Sequence, residues 1–159
     1  MKETKKWTCD RCFRTIESVK DGWVEWLSIG ASPNYRSENL RLVHHIGASP
    51  LKESDSGCQY NGRDQFACTG HTVEDLPLAS FVGPDGLMMF LRLLEEGRLP
   101  QAEVIEMIKR VHIPDYEAAR PYFDAAIAAG VFEPNTQPGY HYQYQIRETL
   151  RYIEERDKG

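Results

Sequence analysis

The chain has 159 residues, 41% of them hydrophobic and 27% charged, which is ordinary for a globular protein with a packed core. Its net charge of −5 counts against tight non-specific binding to nucleic acid, which depends on Lys and Arg neutralising phosphates. No run of about 18 apolar residues exists to cross a membrane, and the start, Met1–Trp7, has no apolar segment after its lysines, so no secretory signal is expected.

The first informative stretch is Cys9-Thr-Asp-Arg-Cys12, where two thiolates at C-x-x-C spacing can close on one metal ion. With no export signal the four cysteines are expected to stay reduced in a cytoplasm, where joint metal binding is their commonest use. Asp21-Gly22 marks a turn, and Trp23-Val-Glu-Trp-Leu-Ser28 then alternates as a half-buried strand does. Trp23 and Trp26 fall on opposite faces of it, so one of them is expected to face solvent. After a second turn at Gly30–Asn34, Leu40-Arg-Leu-Val-His-His-Ile46 reads as a strand returning antiparallel to the first. From Gly47 to Gly70 the composition is rich in Ser, Gly, Asp and Asn, which predicts irregular backbone. A loop of that length needs something to hold it, and a metal would do so.

The second half reads as helical. Pro84-Asp-Gly86 opens a helix stopped by Gly97, and Met88, Met89 and Phe90 in it are assigned to the core. Pro100 opens another, with Val104, Ile105, Ile108 and Val111 on one face. His112-Ile-Pro-Asp115 is a turn, followed by a third helix to Ala129 that Pro121 must kink or delay. Val131-Phe-Glu then faces Tyr140-His-Tyr-Gln-Tyr-Gln-Ile146 as a predicted β-hairpin, with Tyr140, Tyr142 and Tyr144 packed between hairpin and helix and His141 on its outer face. Arg147–Arg156 closes the chain as a helix. His112 and His141 are assigned structural roles.

Helix, helix, turn, helix, hairpin is the order of a winged helix-turn-helix domain, and residues 87–146 resemble that family. The resemblance implies a recognition helix at Tyr116–Ile127, which carries one arginine and two acids, and a wing without Lys or Arg. Reading a major groove takes several donors for base edges and phosphates, so the resemblance implies the shape and a protein-binding use more than a DNA-binding one. The charge split agrees: residues 1–75 carry 10 basic and 11 acidic side chains, residues 76–159 carry 9 and 13.

Two ligand sets compete for a zinc ion, both including Cys9 and Cys12. One adds Cys68 and His71, a second C-x-x-H knuckle. The other adds His45 and Cys58, since the second strand runs back toward the knuckle and its end returns near the thiolates. Strand alternation sends His44 and His45 to opposite faces, so only one of them can reach the site. The second set is favoured. Against both, a cysteine pair can be unliganded, and Cys58 or Cys68 alone can be a small buried hydrophobe.

The order Cys9-x-x-Cys12, Val-His44-His45-Ile with Ser49-Pro50, Asn61 and Cys68-x-x-His71 also resembles zinc-containing HNH nucleases. That resemblance implies His44 or His45 as general base, Asn61 as its orienter and His71 as ligand to a catalytic cation. The chain lacks the second full C-x-x-C of that pattern.

The expectation is therefore an α+β protein: a small β-rich zinc-binding module at 1–75, resembling a zinc ribbon, followed by a winged-helix-like helical module at 76–159. Zinc is structural, held by Cys9, Cys12, His45 and Cys58 with Cys68 and His71 as the alternative second pair. The expected function is that of a cytoplasmic adapter or regulator contacting another macromolecule, a protein before DNA, with no catalytic residues assigned and a homodimer open.

Overall fold

The computed structural model describes residues 5–135 and 137–159; Thr136, part of the loop predicted at 134–139, lies outside them. The protein is mixed α+β with small antiparallel sheets. Two short strands, β1 (Trp7–Thr8) and β2 (Thr15–Ile16), pair around the C-x-x-C turn, with Trp7 opposite Ile16. β3 (Gly22–Ile29) is the centre of a three-stranded sheet between β4 (Arg36–His44) and β5 (Thr72–Pro77), both antiparallel to it. Gly22 lies opposite His44 and Ile29 opposite Arg36, with a bulge where β3 passes from Glu25 to Leu27. Asn39, at φ 59°, sits in that bulge and lets β4 carry its one extra residue.

Helix α1 (Gly62–Thr69) interrupts the stretch expected to be irregular. Asn61 caps it by accepting from the Asp64 amide, and Gly70 ends it in the left-handed conformation. α2 (Gly83–Glu96) and α3 (Gln101–His112) follow where the Pro and Gly punctuation places them. Their buried faces, Phe90 and Leu93 on α2, Val104, Met107 and Val111 on α3, join one core with Trp7, Ile16, Val24, Trp26, Leu42, Leu78 and Phe81. Each such side chain removed from water contributes about 1.5–3 kcal/mol. The central strand is covered on both faces, so neither tryptophan is exposed: Trp26 is buried and Trp23 half-buried. Met88, expected in the core, is 66% exposed, because Phe90 and Leu93 set the inward direction of α2.

The chain divides into two compact units, one through His112 and one from Ile113. The composition shift near residue 75 is therefore not the boundary between them; α2 and α3 share their core with the sheet. The second unit is helical: α4 (Tyr116–Ala119), a 3₁₀ turn at Arg120–Tyr122 around Pro121, α5 (Phe123–Ala128) and α6 (Gln143–Lys158). Its core is Tyr116, Ala119, Phe123 and Ile146.

The predicted hairpin is replaced by the start of α6, and no strand forms among the described residues of this unit. Ile146, Leu150 and Ile153 follow a helical repeat that outweighs the tyrosine alternation. Gln145 closes the helix start as the third residue of a capping box with Tyr142. Fully buried, it also exchanges two 2.9 Å amide hydrogen bonds with Asn135. Tyr140, Tyr142 and Tyr144 are exposed, and His141 stacks on Phe123 with ring centroids 3.8 Å apart. A winged-helix arrangement thus lacks its wing here. No helix of the described residues is long and apolar enough to cross a membrane.

Gln145→Leu removes the cap and strands the Asn135 amide, so it should destabilise the second unit by about 1–3 kcal/mol. Amide hydrogen exchange should speed up along α6 and stay unchanged in β3. Unaltered protection of α6 would show that the capping network does not hold this unit.

Candidate metal centre

Cys9 and Cys12 sit in a tight turn. The Cys9 amide donates to the Arg14 carbonyl and the Phe13 amide to the Cys9 carbonyl, both at 2.9 Å, with Phe13 in the left-handed region at φ 62°. This folds the chain back so that both sulfurs face one point, and the Arg11 amide lies 3.4 Å from Cys9 Sγ. The turn is fixed to β4 by the Asp10 amide, which donates to the Leu42 carbonyl, and by the Asp10 carboxylate, which accepts from the Leu42 amide, both at 2.8 Å. Arg110, buried on α3, clamps the same carboxylate with bonds of 2.8 and 3.0 Å and donates to the Thr8 carbonyl at 2.9 Å.

Two residues beyond Leu42, at the end of β4, His44 points its Nδ1 at the sulfurs. It lies 3.5 Å from Cys12 Sγ and 3.8 Å from Cys58 Sγ. Its Nε2 is 3.0 Å from the Thr15 carbonyl, to which only an N–H can donate, so Nδ1 is left with its lone pair free. Cys58 arrives from the loop after β4. There Ser49 Oγ accepts from the Leu51 amide at 3.1 Å and shares a hydrogen bond of 3.0 Å with Cys58 Sγ. Gly57, at φ 59°, allows this approach, since a Cβ there would stand 2.8 Å from Ser49 Cβ.

The four donor atoms of Cys9, Cys12, His44 and Cys58 lie within 4.8 Å of one another, with Cys9, His44 and Cys58 buried. Among the described residues they form the one group of three or more His, Cys, Asp and Glu side chains close enough to hold a metal ion. A tetrahedral zinc with Zn–S near 2.3 Å sets its sulfurs about 3.8 Å apart. The spacings fit such an ion, and an S₃N donor set is chemically matched to zinc.

The histidine in this group is His44, where the sequence reading placed His45. Trp23 pairs with Val43 across the sheet, so His45, two residues further, lies on the opposite face from His44. Its ring packs against Trp23 at 5.2 Å and its Nδ1 accepts from the Gly47 amide at 3.2 Å. The alternative pair is elsewhere. Cys68 is exposed on α1, and His71 bonds Glu38 at 2.9 Å and Thr69 at 2.6 Å. Asn61 caps α1. Of the residues that carry the nuclease resemblance, Cys9, Cys12 and His44 meet in the metal cluster, while His45, Asn61 and His71 are each engaged in a separate local structure.

A buried ion pair supports the loop that brings Cys58. Glu25, fully buried in β3, accepts from Arg41 Nε at 2.7 Å and from the Tyr60 amide at 2.9 and 3.0 Å. Arg41 donates to the Cys58 carbonyl at 3.0 Å and lies 3.5 Å above the Tyr60 ring. No cysteine–histidine pattern points to these residues; an acid and an arginine on facing strands are the only sequence signal.

Burial pushes the Cys58 thiol up to about 12, with the Cys9 charge adding to it and Ser49 opposing. Burial acts in the same direction on Cys9, but the amides of Cys12, Arg11 and His44 outweigh it and bring this thiol down to about 7. One cysteine is therefore ready to ionise and one holds its proton until a cation displaces it. Comparison with protein-family models, curated proteins and solved structures returns no match. The site rests on its own geometry.

Elemental analysis should find about one zinc per chain, lost in His44→Ala and Cys58→Ser and retained in His45→Ala and Cys68→Ser. The reverse pattern would restore the Cys68–His71 set. Protons compete for the thiolates, so zinc affinity should fall as pH is lowered, and more steeply below about 7, where Cys9 as well as Cys58 must give up a proton to the incoming ion. A chromogenic chelator reads this release, and an affinity flat from about pH 5 to 8 would contradict it.

Proposed function

We propose that this protein is a zinc-stabilised binding module that contacts another macromolecule, a protein rather than a nucleic acid, in a reducing, cytoplasmic setting. The observation that carries the reading is the closed donor set. Three cysteines and one histidine supply the four donors of a tetrahedral zinc shell, which bound together would leave no position for a substrate or an activated water, the position catalytic zinc sites keep open. Such an ion works as a cross-link. It ties the turn at 9–12, the end of β4 and the Cys58 loop together, and the surfaces built on them become rigid enough to recognise a partner.

The charge pattern supports a protein partner. The chain carries −5 overall, and among the described residues of the segment resembling a winged helix no strand forms a wing. Four free cysteines suit a reducing compartment.

The zinc-loaded protein should leave duplex DNA unshifted at about 50 mM salt, where phosphate contacts are strongest. It should also leave supercoiled plasmid intact with magnesium or manganese. A tight complex that weakens steeply with salt would replace this reading with nucleic-acid binding. Metal-dependent nicking lost in His45→Ala or His71→Ala would replace it with a nuclease.

A further inference from the structure

Helix α2 has a second apolar face that the core does not use. Leu87, Met88 and Leu91 are 37%, 66% and 49% exposed, on a helix whose opposite side buries Phe90 and Leu93. A shallow groove of about 550 Å³ runs beside them, lined by Asp85, Met88, Met89, Leu91, Arg92 and Glu95. At about 100° per residue Leu87 and Leu91 form one flank of this face, Met88 its middle, and Asp85 and Arg92 the other flank. A contiguous exposed apolar stripe with a charged border is the usual mark of a contact surface.

The border says what fits it. In an antiparallel pair of helices related by a two-fold axis, each flank meets the same flank of its partner. With the axis passing between Met88 and Met89, Asp85 of one copy falls opposite Arg92 of the other, and the symmetry makes this pair twice. The same register sets Leu87 beside the second copy's Leu91 and Met88 across from the second copy's Met88. It also brings Glu95 to the start of the second copy's α2, where Val82 supplies no side-chain cap to the first-turn amides. Among the described residues of its own chain Arg92 reaches Glu96, at 3.7 Å, and Met89 Sδ, at 3.2 Å. Shifting the axis by one or two residues toward the C-terminus instead opposes Asp85 to Glu95, so one register is selected.

We propose that this face of α2 is the contact between two copies of the chain, packed antiparallel with Asp85 of each paired to Arg92 of the other. The contact is independent of the metal and uses neither its ligands nor their supports. One helix on each side buries less than a standard interface, so the dimer is weak, with a dissociation constant on the order of 10–100 µM.

Sedimentation of the full zinc-loaded chain with a non-thiol reductant, which removes any link through exposed Cys68, tests this over about 5 to 500 µM. The wild type should pass from monomer to dimer. Asp85→Arg sets Arg against Arg at both pairs and Arg92→Asp sets Asp against Asp, so each alone should weaken association about tenfold or more. Mixed, the two variants should recover it, because every pair is then Asp with Arg. Met88→Lys should abolish it. Unchanged zinc content and circular dichroism show that the variants remain folded. A wild type that stays monomeric to the top concentration overturns the proposal, including a case where α2 amides are still protected, which would assign the face to another occupant. Single variants that dimerise like the wild type, or a mixture that fails to, overturn it equally.

Discussion

Three sulfurs and an imidazole nitrogen gathered within 4.8 Å, most of them buried, are the constraint on which the first unit depends. Thiols pack poorly as a mutual cluster and thiolates repel one another, so a cation is what turns this arrangement from a cost into a bond. Structural zinc in small domains is worth about 10–16 kcal/mol in apparent free energy. A whole domain is stable by only about 5–15 kcal/mol. A zinc term of that size rivals everything the apolar core leaves after chain entropy. It also acts where the core cannot: the loop carrying Cys58 has few apolar residues, and its buried members are Ser49, Gly57 and Cys58.

The same loop is held a second time through Glu25, Arg41 and Tyr60. This tie sets register more than it stabilises. Desolvation raises the Glu25 carboxyl above its ordinary value even though Arg41 opposes it. Folding therefore favours the protonated form, and the stability linked to this group is fullest below the ordinary carboxylate range and declines as pH rises through the raised value. A buried pair of this kind is costly to break and gains little by forming. Its geometric effect is definite: the guanidinium holds the Cys58 carbonyl and the carboxylate holds the Tyr60 amide, which places the cysteine before any metal arrives.

Much of this was legible in the chain and some was not, for physical reasons. The C-x-x-C turn announces itself, since its spacing is itself the chemistry. β3 and the three longer helices follow from periodicity and from Pro84, Gly97 and Pro100. The choice between His44 and His45 turned on strand parity, which a single residue inverts. The pairing of Trp23 with Val43 decides it, and pairing is a tertiary fact. α1 was lost in a polar stretch whose cap, Asn61 with Asp64, is a short-range signal easily read as loop. The tyrosine alternation at 140–144 suggested a strand, but Gln145, caught between Asn135 and the helix start, shows a local cap overruling period two. Met88 looked like core because its spacing fits a helix face; a helix has two sides, and apolar spacing does not say which is covered.

X-ray absorption at the zinc edge of the purified protein tests the central claim most directly, because it counts donor atoms without perturbing them. The account predicts three sulfurs near 2.3 Å and one nitrogen near 2.0 Å. A shell with two sulfurs, one rich in oxygen, or a protein purified without zinc would contradict it.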